Sequence, residues 1–204
     1  MLEIDKSKTV EVNNIKTINK DDNIVLINKN NRNRISSYYF ENTGYKEANQ
    51  FIKATERIIR GSEQYSKYIS YLSTNQGLIN DVLYGNITSE DATLEFHHYP
   101  FTLYDIVEIV LNHNINLNKK INTFIIAEEV LDLHFRNLIG VARLSKTAHQ
   151  MVHAGKLFVP LHSVFGNVNK FVDIYRDGMF NDQIEKFNEI IKFDQKDDYD
   201  NSLI

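Results

Sequence analysis

The spacing of apolar residues changes once along this chain, and that change restricts the fold more than any other feature. In residues 9–28 the apolar side chains alternate or run together in β-branched stretches: Val10, Val12 and Ile15, then Ile24-Val25-Leu26-Ile27. Such patterns fit strands. From Lys46 onward they recur three and four residues apart, as Ala48, Phe51, Ile52, Ile58 and Ile59 do. That spacing fits a helix with one face toward a core. The chain is therefore expected to be α+β, with an N-terminal β-plus-helix region. Lys20-Asp21-Asp22 predicts a turn. The basic stretch 28–34 reads as an exposed connection, with a phosphate-contacting arm as its functional alternative.

Local signals divide the remainder. Gly61 interrupts the first helix, and Ser62 is placed to cap a second that runs to about Thr74. Gly77 and Gly85-Asn86 mark turns. Thr93 to His98 reads as a strand with Leu94 and Phe96 on one face, Glu95 and His97 on the other, and Pro100 as its stop. Thr102 and Thr123 are the expected caps of helices over 103–112 and 124–135. Ile139 to Leu144 reads as a second strand. Ser145 caps a helix through His153 that Gly155 ends. Leu157 to Val164 is expected to be extended, 170–175 and 181–193 helical, and the acidic stretch 194–200 a frayed tail.

Composition excludes several classes of function. With no cysteine among 204 residues, there is no disulfide framework, Cys-based zinc finger, iron–sulfur cluster or thiol nucleophile. A net charge of −4 argues against a general nucleic-acid coat. The charge is uneven, however: residues 1–80 balance at +3 and the rest at −7. No apolar run approaches the ~20 residues of a membrane span, and Met1-Leu2-Glu3-Ile4-Asp5-Lys6 lacks a signal-peptide core. A cytoplasmic location and no membrane partner are expected. Asn and Ile, 24 each, are overused, as in AT-rich genomes such as those of low-GC bacteria and their phages.

All seven histidines lie between 97 and 162. His97 and His98 are adjacent at the end of a strand. His149 and His153 are four apart on a helix, which puts both imidazoles on one face, about 6 Å apart at the backbone. Two such imidazoles can bind one divalent cation, and a third ligand from the strand would leave a position for water or substrate. In the zinc-protease pattern HExxH the glutamate is the general base. Here Gln150 occupies that place and cannot accept the proton from water, so that reading loses its essential base. His134 is read as a buried polar residue, with a partner behind a ligand as the alternative; Glu95 is read as an outer acceptor for a ligand imidazole or as no more than the polar face of its strand.

Three segments, Leu94-Glu95-Phe96-His97-His98, Asn137 to Ser145, and Lys146 to His153, together resemble the HNH endonucleases, also called His-Me finger or ββα-metal nucleases. The resemblance covers about 60 residues, with 38 residues and two apparent helices between His98 and Asn137. It implies a ββα-metal core enlarged by inserted helices. It further implies that His98 is the general base, Asn137 orients it, and His97, His149 and His153 hold one divalent ion (Mg, Mn or Zn). Arg143 and Lys146 would contact phosphate. The organisation expected is an N-terminal region over 1–90, an HNH-like domain with C-terminal helices over 91–193, and a tail over 194–204. The function expected is metal-dependent hydrolysis of phosphodiester bonds in DNA, most simply double-stranded, by a phage enzyme acting in the host cytoplasm. The alternative is a non-catalytic phage accessory or interaction protein that keeps the fold.

Overall fold

The computed structural model describes the backbone of residues 9–12, 15–20, 23–28, 34–37 and 45–201, and side chains from 46 to 195. The architecture is mixed α+β. Strands β1 (Thr9–Val12), β2 (Ile15–Lys20), β3 (Asn23–Asn28) and β4 (Arg34–Ser37) form an antiparallel meander in chain order. The first three coincide with the alternating and β-branched stretches. The fourth has a single large apolar residue, Ile35, and periodicity does not reveal it. The turn expected at 21–22 and the basic connection at 29–33 lie outside the described residues.

Helices α1 (Tyr45–Gly61) and α2 (Glu63–Thr74) follow, separated by Ser62, whose hydroxyl accepts the Tyr65 N–H. α1 lies against α3 (Leu103–Asn116) and α4 (Thr123–Phe135), bringing Phe51, Ile52 and Ile59 against Ile106, Val110, Ile126 and Val130. All seven are at most 1% exposed, so this three-helix layer is the centre of the core. Thr102 caps α3 as expected, with a full capping box to Asp105. Asn122, rather than Thr123, caps α4, because its carboxamide oxygen reaches the N–H groups of both Phe124 and Ile125. Thr123 itself is buried.

The helices α3 and α4 are an insertion between two paired strands. β5 (Leu94–His98) and β6 (Val141–Ser145) are antiparallel, with His98 opposite Val141 and Leu94 opposite Ser145. The register returns the ends of the 38-residue insertion to each other, and the Tyr99 N–H donates to Gly140 O at 3.0 Å. A two-stranded ribbon is marginal on its own. Here its outer edge is covered: Val82 N–H donates to Arg143 O, and Val141 and Phe165 exchange two backbone bonds of 2.8 and 2.9 Å. The Asp81 carboxylate, 1% exposed, accepts Ser145 N–H at 2.6 Å and the N–H groups of Leu83 and Tyr84. Burial pushes that carboxyl up, but these donors outweigh it and hold it below its ordinary range.

From Ser145 the chain enters α5 (Lys146–His153), then a stretch over 157–160 without regular structure and a 3-10 turn at Leu161–Ser163. α6 (Val168–Tyr175) and α7 (Asn181–Asn201) complete the chain. The tail expected over 194–200 is thus helical, and Asp194 accepts the Leu161 N–H at 2.7 Å. Gly140 is where packing leaves no room for a side chain. A Cβ there would lie 2.0 Å from Tyr99 O and 2.6 Å from a Val168 methyl. Gly140→Ala should therefore destabilise the protein by about 2–3 kcal/mol, measured by urea unfolding.

Candidate metal centre

Strand alternation decides what β5 can contribute. Successive side chains point to opposite faces, so Glu95 and His97 share one face of the β5–β6 ribbon with Leu144 and Ala142, their cross-strand partners. Leu94, Phe96 and His98 share the other with Ser145, Arg143 and Val141. α5 packs on the first face. Ser145 starts it by accepting the Ala148 N–H, and Ala148 is buried against the ribbon. His149 and His153 lie one turn apart on the same side of this helix.

The structure brings His97, His149 and His153 together. Their ring centroids form a nearly equilateral triangle with sides of 4.6, 4.7 and 4.7 Å. One nitrogen from each lies within 4.8 Å of the other two. His149 Nε2 is 3.0 Å from His153 Nε2, and His149 Nδ1 is 2.6 Å from Glu95 Oε2. The carboxylate can only accept, so Nδ1 carries the proton and Nε2 presents its lone pair to the triangle. A proton on His153 Nε2, or a cation, satisfies that contact. His97 is buried; burial first, then His149, His153 and Lys186, lower its pKa to about 4. It is therefore neutral at pH 7, as a ligand imidazole must be. Three imidazoles with a carboxylate behind one of them suit a divalent transition metal such as zinc, and they leave a further coordination position. His153 is exposed and gives that position a route to solvent.

His98 does not join this group. Expected as the general base, it faces the other side of the ribbon, is 7% exposed, and its Nε2 lies 3.0 Å from Nε2 of fully buried His134. His134 Nδ1 donates to Val130 O at 2.7 Å, so its Nε2 accepts and His98 Nε2 carries the hydrogen. Tyr65 stacks on His98 at 6.2 Å, and Tyr68 meets His134 edge-on at 5.0 Å. This is a neutral buried pair rather than a group poised against a water molecule.

Asn137 likewise serves a different purpose from the one expected. With φ of +54° it ends α4: its N–H donates to His134 O and Leu138 N–H to Leu133 O. That pairing is the left-handed helix stop in which Asn is the usual substitute for Gly. Its side-chain oxygen is buried and accepts no hydrogen bond from the protein, so it does not orient His98. Arg143, expected at a phosphate, donates to Ser73 Oγ and Leu78 O at 3.0 and 2.6 Å and lies 4.9 Å over the Phe96 ring. It braces the 73–78 segment against β6. Lys146 is exposed in the first turn of α5, three residues before His149.

Other members of this neighbourhood escape sequence reading. Lys186 on α7 acts electrostatically on His97, yet nothing in its local sequence singles it out. Asp81 and Tyr65 reach the ribbon from segments with no motif of their own. Alternation along Leu94 to His98 separates His97 from His98, because neighbours on a strand face opposite ways.

Two measurements follow. Calorimetric zinc titration should give one site, weakened more than about a hundredfold by His149→Ala and about 10–100-fold by Glu95→Gln, while His98→Ala leaves it nearly unchanged. For the buried pair, burial lowers the pKa of His134 from 6.5 to about 4 and that of His98 in the same direction. The folded state thus binds these protons less readily than the unfolded one. The pair's contribution to stability is present above about pH 6.5 and is lost as pH falls toward 4. Urea midpoints of the metal-free protein should fall over that window, and His134→Leu should reduce the slope.

No helix among the described residues is long and apolar enough to cross a membrane. No curated protein and no solved structure matches the chain. A family model described as bacteriophage G278-like virion protein matches residues 1–204. With the whole chain covered, the protein belongs to this bacteriophage G278-like virion protein family.

Proposed function

We propose that this phage protein is a metal-dependent phosphodiester hydrolase of HNH type, acting on DNA from its β5–β6–α5 unit. The observation that carries the reading is the convergence of His97, His149 and His153 from a strand end and the following helix, with one side open to solvent. The order strand, antiparallel strand, helix supports it, as does the close return of the insertion's ends at Tyr99 and Gly140. A divalent ion, when bound, would polarise a phosphate oxygen and lower the pKa of a neighbouring water. The chain's own residues supply the rest. Glu95 fixes the tautomer and angle of His149, burial keeps His97 neutral, and Lys146 offers a cation beside the helix. His98, on the opposite face and paired with His134, takes no part in it.

A second reading is favoured by that placement of His98 and by the virion family: a non-catalytic virion component in which the same three histidines bind a structural ion. Supercoiled plasmid incubated with the protein and Mg²⁺, Mn²⁺ or Zn²⁺ separates the two. The enzyme reading expects nicking that His149→Ala reduces by more than about a hundredfold and that His98→Ala largely preserves. Stoichiometric metal binding without nicking under any of the three ions would favour the structural role.

A further inference from the structure

We infer that the outer face of α1 is a docking surface for a nucleic-acid backbone, separate from the three-histidine centre. Between residues 46 and 60 the exposed side chains are Lys46, Glu47, Gln50, Lys53, Arg57 and Arg60. At about 100° per residue, all of these except Glu47 fall within about 80° of arc. The middle of that arc lies opposite Thr55, which is buried with Phe51, Ile52 and Ile59 on the side that meets α3 and α4. At about 1.5 Å per residue the stripe is about 21 Å long. Lys46, Lys53 and Arg57 form no ion pair among the described residues, and Arg60 lies 3.8 Å from Glu56.

A solvated helix face ordinarily interleaves both signs. α2 does so, pairing Glu63 with Lys67 at 2.8 Å. So does α7, where Asp182, Glu185, Lys186, Glu189 and Lys192 are all exposed. On α1, Lys53 and Arg57 are four apart and Arg57 and Arg60 three apart, spacings at which like charges repel. No acid stands within the arc to offset that repulsion; a row of external anions does. From Asn28 to Gly61 the sequence holds seven Lys or Arg and three Asp or Glu, in a chain of net charge −4. The basic stretch 28–34 leads into β4, and β4 packs on α1. Burial selects a polyanion over a lipid surface. A helix lying on a membrane must sink an apolar face into it, and the apolar face of α1 is already enclosed in the core. At about 3.4 Å per nucleotide of one strand, the stripe spans on the order of six phosphates. Contacts of this kind hold a duplex without reading its bases. The surface is compatible with either role of the metal centre, catalytic or structural.

The test is fluorescence anisotropy of a labelled DNA duplex of about 20 base pairs, with the full chain in EDTA so that neither metal binding nor cleavage contributes. Salt dependence is measured for the parent, for the double variant Lys53→Gln with Arg57→Gln, and for the charge-preserving exchange Lys53→Arg with Arg57→Lys. The neutralised protein should bind about tenfold or more weakly. Its slope of log affinity against log salt should be smaller by about 1.8, as two lost phosphate contacts require. The exchange should bind like the parent. Lys170→Gln with Lys192→Gln removes two exposed cations from α6 and α7 and should change the slope little. Urea midpoints should agree across the set, since the altered side chains are exposed and Gln forms helix about as well as Lys or Arg. Equal affinity and slope in the parent and the neutralised protein overturn the inference, as does an equal loss in the α6–α7 control or no duplex binding by the parent. Phosphatidylserine vesicles or polyglutamate that displace the duplex at equal charge concentration overturn the nucleic-acid assignment in favour of anionic surfaces in general. The metal reading is judged separately, by zinc titration and plasmid nicking.

Discussion

Two adjacent residues in extended backbone must point to opposite faces of the ribbon, and at His97-His98 this places two different chemistries back to back. His97 meets α5 and its imidazole pair; His98 meets His134 and the aromatic rings of α2. The β5–β6 register holds the arrangement in place. A slip of one residue would turn Leu94, Phe96 and His98 toward α5 and send His97 and Glu95 among the tyrosines. Much of the surrounding structure protects that register: the Asp81 carboxylate on Ser145, the Arg143 brace, and the Val141–Phe165 bridge.

The two faces meet opposite electrostatic demands. On the α2 side, burial forbids charge, and the His98–His134 pair is tolerated because one donor faces one acceptor and Val130 O takes the remaining proton. On the α5 side three imidazoles converge, and the Glu95 carboxylate accepts from one of them. Three neutral ligands and one outer carboxylate make a site that a divalent ion would render net positive.

The insertion between the strands is a structural investment rather than a loop. With α1, α3 and α4 supply 14 of the 34 buried apolar core residues among those described, so both strands of the ribbon run into a packed helical layer. Left-handed caps at Asn118, Asn137 and Gly155 end α3, α4 and α5 within a residue or two of a required change in direction. Asn137 shows how a residue noticed for a catalytic reason can be accounted for by backbone geometry alone.

Local chemistry was legible in the amino-acid order. The change of apolar period announced strands followed by helices. Ser62, Thr102 and Ser145 marked helix starts, because a capping hydroxyl acts within three residues of itself. The helical spacing of His149 and His153 foretold a shared face, and phage membership agrees with the Asn- and Ile-rich composition. Only tertiary structure decided which histidine of the adjacent pair met them, that His134 was the other's partner, and that Arg143 was consumed as a brace. Those outcomes depend on contacts between residues 36 to 70 positions apart. Such contacts are set by how helices and strands pack on a common core, and spacing along the chain does not carry that information.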